Sequence, residues 1–382
     1  MVEKRVLIVD FNHMAHTYYN SQFKPTIRVI QNGVPVLKET TIQNGTIKAI
    51  HRWSNGGVNP TAVCFDRPVS CRKSFFEQNF PEMKKGTDNE YKGGRARMSS
   101  DMMEGIEDTE RIFKNSGVSV FSAMNYESDD LIQACVKRAK EKYPGMPIDV
   151  VTNDADLLPL VDDTVSVFFR SRKGTYAESE EYSKLHYIQV TPRNYSEVIE
   201  DLSSYRGFTI PYNSILLHKL LRGDASDKIG RKDISRMFSP KKYNAMIEEM
   251  LNDGVDFESV FRYDEPKYKI LYRGSDEEFK GTLEEALKSP DRTKLYQKVC
   301  NPAKLDEIIA LLSKYSDLNT EQLGVVEKLY WGMNLNQAYP STDPMVSRRP
   351  YVLNEKGHGD INPFNEIELQ KMASALKINI IR

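Results

Sequence analysis

The 382-residue chain has no long apolar run. Its longest, Val6 to Val9 and Ile308 to Leu312, fall far short of the ~18 residues a membrane span requires, which excludes a transmembrane helix and a membrane partner. Cysteine is scarce: Cys64, Cys71, Cys135 and Cys300 form no Cys-x-x-Cys pair and are too few for a disulfide framework, so a reducing compartment is expected. The apolar run in the opening MVEKRVLIVD is too short for a signal-peptide core, which adds to the expectation of a cytoplasmic protein. No G-x-x-x-x-G-K-[S/T] occurs, no G-x-G-x-x-G follows a strand, and strand one lacks an Asp-x-Asp, so nucleotide hydrolysis is disfavoured. Neither sign of charge dominates, with 53 Lys plus Arg against 54 Asp plus Glu, and taken alone that argues against a polyanionic partner.

What is present is the composition of a folded protein, 40% apolar and 28% charged, long enough for two or three domains. Arg5–Asp10 (RVLIVD) and Thr61–Asp66 (TAVCFD) are nearly continuous apolar runs, the pattern of strands buried on both faces of a parallel sheet. Between them Ile42, Ile47, Ile50 and Trp53 recur at helical spacing, and Asn32-Gly33 within Ile27–Leu37 predicts an inserted hairpin. A helix ending near Gly117, a strand at Val118–Phe121, a helix at Leu131–Ala139 and strands at Ile148–Thr152 and Thr164–Phe169 continue the alternation. Residues 1 to 170 therefore read as a doubly wound α/β unit, whose ligands bind beyond the carboxyl ends of the strands. From Pro211 the pattern turns helical. Ile215–Leu221 stops at Gly223, Ser239-Pro240 opens a helix ending near Gly254, and three more are expected at 301–316, 319–334 and 362–378. Asn301-Pro302 and Asn362-Pro363 are read as the openings of two of these, Pro340–Arg349 as a linker and Lys84–Ser100 as a mobile segment.

Nine carboxylates fall where such a sheet places its site: Asp10 and Asp66 at strand ends, Glu127, Asp129 and Asp130 at a helix start, Asp154 and Asp156 after a strand, and Asp224 and Asp227 after a helix. Brought together, they repel one another, raise each other's pKa and disfavour folding unless cations neutralise them. Oxygen-only donors favour magnesium or manganese over zinc, and no zinc-like His or Cys spacing lies nearby. With the nine set aside, 53 basic side chains face 45 acids, a net +8. Arg67, Arg72, Lys73, Lys84, Lys85, Lys92, Arg95 and Arg97 concentrate that excess, with Phe75, Phe76, Phe80 and Tyr91 interleaved; cations track phosphates and rings stack on bases.

Asp10 ending strand one, Phe65-Asp66, Tyr91-Lys92-x-x-Arg95, Glu127-Ser128-Asp129-Asp130, Thr152-Asn153-Asp154-Ala155-Asp156-Leu157 and Gly223-Asp224-Ala225-Ser226-Asp227 occur in that order. Together they resemble the 5′ nuclease family: flap endonucleases, the 5′ nuclease domain of bacterial DNA polymerase I, and the phage 5′-3′ exonucleases and ribonuclease H. The resemblance runs over residues 1–290 and, without an attached polymerase, is most similar to the phage enzymes. It implies an α/β, PIN-like core with a central mostly parallel sheet flanked by helices over residues 1–207, carrying an arch near 80–105. A helix-three-turn-helix region would occupy 208–290 and a helical extension 291–382.

The implied activity is a two-metal 5′ nuclease of replication or repair, acting on DNA with a 5′ flap, nick or 5′ overhang, or on an RNA–DNA hybrid. Asp10, Asp66, Glu127, Asp129 and Asp130 would hold one Mg²⁺, and Asp154, Asp156, Asp224 and Asp227 the other, with Mn²⁺ able to substitute. Lys92 and Arg95 would act with Asp154 and Asp156 on the scissile phosphate, while Tyr91, Arg97, Lys228, Arg231 and Lys232 contact DNA. After Gly223-Asp224-x-Ser226-Asp227 the family continues Asn-Ile-Pro-Gly. Here Lys228 replaces the asparagine and the proline is missing, which weighs against the potassium ion the resemblance implies at this hairpin and leaves Arg231 and Lys232 to grip phosphate. The further expectations are a monomer, a replication protein docking on the extension, and residence in the host cytoplasm if a phage encodes the chain.

Other readings stand beside these. Asp10 is also a natural helix cap, Glu127 and Asp129 suit a helix N-terminus, and Asp154 and Asp156 suit a turn. His13 and His16 are assigned no ligand role, and Tyr18 and Tyr19 either stack on a base or pack beside the first strand. At the level of function the alternatives are a non-catalytic branched-DNA-binding accessory protein and a ribonuclease H restricted to RNA primers.

Overall fold

The computed structural model describes residues 4–66, 71–93, 98–122, 126–170, 187–200, 202, 205–224, 228–230, 232–261, 267–272, 275, 277–281, 285, 289–291, 295–300, 302–332 and 360–378. Pro340–Arg349, the expected linker, lies outside them.

Val6–Asp10 (β1), Thr61–Phe65 (β4) and Ile148–Thr152 (β6) are buried along their whole length, as unbroken apolar runs require when both faces of a sheet are covered. Ser119–Ser122 (β5), Val165–Arg170 (β7) and Tyr187–Val190 (β8) complete a six-stranded sheet in the order β5-β4-β1-β6-β7-β8. All neighbours are parallel except β8, an antiparallel edge strand that the sequence pattern did not announce. Thr26–Gln31 (β2) and Val34–Glu39 (β3) form the predicted hairpin, with Asn32 and Gly33 both at positive φ in the turn.

Alternate residues of each strand feed two cores. Val6, Ile8, Ala62, Cys64 and Val150 point to one face, covered by Ser128–Lys142 (α5) and by helices from the second half of the chain. Leu7, Val9, Val63, Phe65 and Val151 point to the other, covered by Phe11–Tyr19 (α1), Thr41–Trp53 (α2) and Ser100–Asn115 (α4). Cys64 and Cys135 meet in the first core as free thiols, their sulfurs 3.9 Å apart. Tyr18 packs against Gly45, where a Cβ would come within 2.2 Å of the ring, and Tyr19 bonds Ser99 at 2.8 Å, so both tyrosines serve packing.

The chain then becomes helical. Ile215–Arg222 buries Ile215, Leu216, Leu220 and Leu221 and stops at Gly223, and Pro240–Asn252 starts from the Ser239 cap and ends before Gly254. Lys267–Tyr272 (β9) and Leu295–Cys300 (β10) pair antiparallel, so one hairpin spans the boundary expected at residue 290. Helices Pro302–Tyr315 and Thr320–Gly332 match expectation. The last helix, Glu366–Ala375, starts later than expected, because Asn365 rather than Asn362 caps it. Asn362 is committed elsewhere: its carbonyl accepts the Thr61 N–H at 3.1 Å and so seats residues 360–378 at the amino end of β4.

Candidate metal centre

In the strand order, β1 lies between β4 and β6, and the chain departs from β1 first to one side and then to the other. That is the switch point at which such sheets open a crevice beyond their carboxyl ends. Asp10 ends β1 there, and its carboxylate accepts the His13 N–H at 3.4 Å and the Thr152 hydroxyl at 3.0 Å. It therefore does cap α1, while joining the ends of β1 and β6. Asp66 follows β4; its backbone N–H donates to Asn12 Oδ1 at 3.1 Å and its carboxylate accepts the Ser128 N–H at 2.5 Å. Three strand ends and the start of α5 are thereby stitched around one spot.

Asp129, Asp154 and Asp156 each bring a carboxylate oxygen to that spot, all within 4.8 Å of one another. Asp154 also accepts the Asp156 N–H at 3.0 Å, capping the 3₁₀ turn Ala155–Leu160. Burial, then repulsion from Asp154, pushes the Asp129 carboxyl well above the usual range. Burial followed by repulsion from Asp66 pushes Asp10 up to about 7. Two buried carboxylates, Asp10 and Asp129, are thus held up by burial and by neighbouring acids, which favours the approach of a cation. A donor set made only of oxygens fits a hard divalent ion such as Mg²⁺ or Mn²⁺.

Protein cations ring this cluster. Arg72, from Cys71–Asn79 (α3), is buried and places Nη1 2.5 Å from Glu127 Oε2 and Nη2 2.7 Å from Asp130 Oδ1. Burial works against its charge, but Asp130 and Glu127 more than offset that. The Lys92 ammonium lies 3.0 Å from Glu127 Oε2, and Lys92 itself adopts the left-handed conformation with φ +53°. Lys219 bridges Asp156 and Asp224, 2.5 Å from Asp224 Oδ2. Two of the expected ligands, Glu127 and Asp130, thus have a protein guanidinium as immediate partner.

Several expectations are corrected here. Tyr91 is no base-stacking residue: it is 3% exposed, its ring stacks on Phe76 at 4.9 Å, and its hydroxyl donates to Glu127 at 3.3 Å. Phe76 and Phe80 are likewise core, because an aromatic in a basic stretch still gains more from burial when a face of α3 is available. Arg72 is buried in the acid network rather than set out to track phosphates, while Lys73, half-exposed, pairs with Glu90 at 2.5 Å. Lys228 and Lys232 are exposed, and the Lys228 ammonium donates to the Asp88 carbonyl at 3.3 Å. Arg95, Arg97, Asp227 and Arg231 lie outside the described residues. Sequence reasoning missed the roles of Thr152, Asn12, Lys219 and the buried Arg72. Only Lys219 carried a signal, a lysine one turn before Asp224 on a helix whose neighbours are apolar.

The fold and the acid cluster define a class, an α/β domain with buried carboxylates gathered at its switch point. Residues 5–187 match the family model described as the 5′-3′ exonuclease, N-terminal resolvase-like domain. DNA polymerase I of Lactococcus lactis subsp. lactis is 27% identical over 152 residues, 37% of this chain and 15% of that protein. DNA polymerase I of Mycobacterium bovis is 30% identical over 151 residues, 39% of this chain and 15% of that protein. The matched region thus spans about one seventh of these relatives. Among solved structures, the T5 D15 protein co-crystallised with metal ions superposes with a TM-score of 0.45 at 14% identity, covering 87% of this chain and all of that one. The catalytic core of Rad2 in complex with DNA substrate gives 0.39 at 11%, covering 98% and 89%. Both likenesses are too distant to carry residue-by-residue comparison.

Proposed function

We propose that the protein is a metal-dependent 5′ nuclease, hydrolysing phosphodiester bonds near the 5′ ends of flapped, nicked or RNA-primed duplex DNA. The observation that carries this is the convergence of Asp129, Asp154 and Asp156 within 4.8 Å at the switch point of a domain that matches the 5′-3′ exonuclease family model. Asp10, Asp66, Asp129, Asp154, Asp156 and Asp224 would hold two Mg²⁺ or Mn²⁺ ions, Asp227 joining them and Glu127 and Asp130 acting from behind. Such ions lower the pKa of an attacking water and stabilise the leaving 3′ oxygen. The chain's own part is to orient the substrate. Lys92, at the rim of the cluster, donates to the scissile phosphate, a role assigned to Arg95 as well. Lys228, Arg231, Lys232 and Arg97 contact backbone phosphates, in keeping with the basic balance left once the nine acids are set aside.

The test is digestion of 5′-labelled flaps in Mg²⁺ by the wild type and by the Asp154→Ala, Asp156→Ala double variant. We expect cleavage by the wild type alone, with DNA affinity in Ca²⁺ largely kept by the variant. Retained turnover in the variant rejects the metal assignment, and binding without cleavage by the wild type favours an accessory protein. Matched RNA and DNA 5′ arms decide between a general 5′ nuclease and a primer-restricted ribonuclease H.

A further inference from the structure

Arg72 is the one deeply buried cation at the N-terminus of α5 among the described residues, 6% exposed, and it lies among three carboxylates of a single helical turn. Its two terminal nitrogens reach Glu127 and Asp130 at 2.5 and 2.7 Å, and Nη1 stands 3.8 Å from Asp129 Oδ2. The same turn is closed from the other side, since Asp130 Oδ2 accepts the Glu127 N–H at 3.0 Å. Arg72 therefore ties α3 to the residue that caps α5 and to the one three positions on, and Asp129, between them, is left to face Asp154 and Asp156. Glu127 in turn takes the Lys92 ammonium at 3.0 Å and the Tyr91 hydroxyl at 3.3 Å.

Resting on the nuclease reading above, we propose that Arg72 is a positioning residue with two effects through one guanidinium. It fixes the turn that aims Asp129 into the metal centre, and it neutralises Glu127 so that Lys92 can leave that carboxylate for a DNA phosphate without stranding a buried charge. A fork of coplanar donors holds two carboxylates at once in one fixed geometry, which a compact ammonium on a flexible stem does not impose. A group behind a metal ligand typically changes metal affinity or activity about 10- to 100-fold when removed, and that is the size of effect expected here.

The experiment compares wild type, Arg72→Gln and Arg72→Lys by three measurements: Mn²⁺ uptake by calorimetry without DNA, flap affinity in Ca²⁺, and the single-turnover cleavage rate at saturating enzyme. Arg72→Gln is expected to lose roughly 10-fold in Mn²⁺ affinity and about 10- to 100-fold in rate, with flap affinity within about twofold of wild type. Arg72→Lys, charged but without the planar fork that fixes Glu127 and Asp130 relative to each other, should fall between. If Arg72→Gln does not fold, Arg72→Lys carries the test by the same readouts. Unchanged Mn²⁺ affinity and rate in the folded variants overturn the proposal. So does lost flap affinity with a normal saturated rate, which makes Arg72 a phosphate contact. Failure of the wild type to take up Mn²⁺ or cut DNA strikes the nuclease reading itself and is thereby distinguished.

Discussion

Asp10 is held up to about 7 from a usual 3.8 by burial first and then by Asp66 and Asp154, whereas its bonds from Thr152 and His13 pull the other way. In the metal-free protein the folded state then binds a proton that the unfolded chain has already released between about pH 4 and 7. Below that window the contribution is intact. Through it, rising pH weakens the fold, by at most about 4 kcal/mol at 1.36 kcal/mol per unit. Asp129 and Asp130 shift in the same direction, both first through burial. His218, lowered to about 4 by burial and by Arg222, acts oppositely, since its stabilisation is present above about pH 6.5 and is lost as pH falls. Melting Asp10→Asn beside wild type in EDTA isolates the Asp10 part: the wild type should lose stability relative to the variant from pH 4 to 7. Millimolar Mn²⁺ should reverse that order near pH 7, and parallel curves with and without metal would show that Asp10 does not answer to the ion. The identity and order of the acids were legible in the sequence, because a carboxylate closing an apolar strand is unusual enough to notice. Their partners were not, since Arg72 and Tyr91 sit in a basic, aromatic stretch whose composition reads equally well as a solvated loop.

At the scale of elements, α5 and the turn after Ile215–Arg222 do most to bring the acids together. Gly223 ends that helix at φ +75°, and a Cβ there would lie 2.2 Å from the Ile229 carbonyl oxygen, part of the short bridge that closes the loop around Asp224. Neither the backbone angle nor the contact admits a side chain. Gly223→Ala should therefore cost about 1–3 kcal/mol in denaturant unfolding and displace Asp224, lowering Mn²⁺ affinity by calorimetry. An alanine variant with wild-type stability and metal uptake would mean that the loop tolerates an alternative path. β1, β4 and β6 were readable because burial on both faces forces an unbroken apolar run. α1 was not, because FNHMAHTYY has no clean helical stripe and the burial of Asn12 depends on Asp66, distant in sequence. β8 was hidden for a related reason, since four residues at a sheet edge carry too short a pattern to separate from a loop.

Over the whole molecule, the acid cluster and the chain's last described segment occupy opposite ends of the sheet. Residues 360–378 dock where β4 and β5 begin: Ser119 donates its hydroxyl to the Asp360 carbonyl at 2.8 Å, and the Phe364 N–H donates to the Gly57 carbonyl at 3.1 Å. Arg138 and Lys142 of α5 grip the Asp360 carboxylate at 3.2 and 2.7 Å, and His51 of α2 pairs with Glu366 at 2.8 Å. Phe364, Leu369, Ala373 and Ile378 complete the core on the α2 and α4 face. Each large apolar side chain buried there stabilises by about 1.5–3 kcal/mol before the cost of ordering the segment. The segment thus acts as a strap on the α/β core, clear of the carboxyl-end crevice. A chain ending at residue 332 should melt roughly 5–10 °C lower than the full chain, on a scale of a few degrees per kcal/mol, yet bind Mn²⁺ with unchanged affinity below its own transition. If the truncated protein melts normally, the strap contributes little net stability. If it melts low and also loses Mn²⁺, the two ends of the sheet are coupled through α5, whose first turn presents Asp129 and whose last turns hold Asp360.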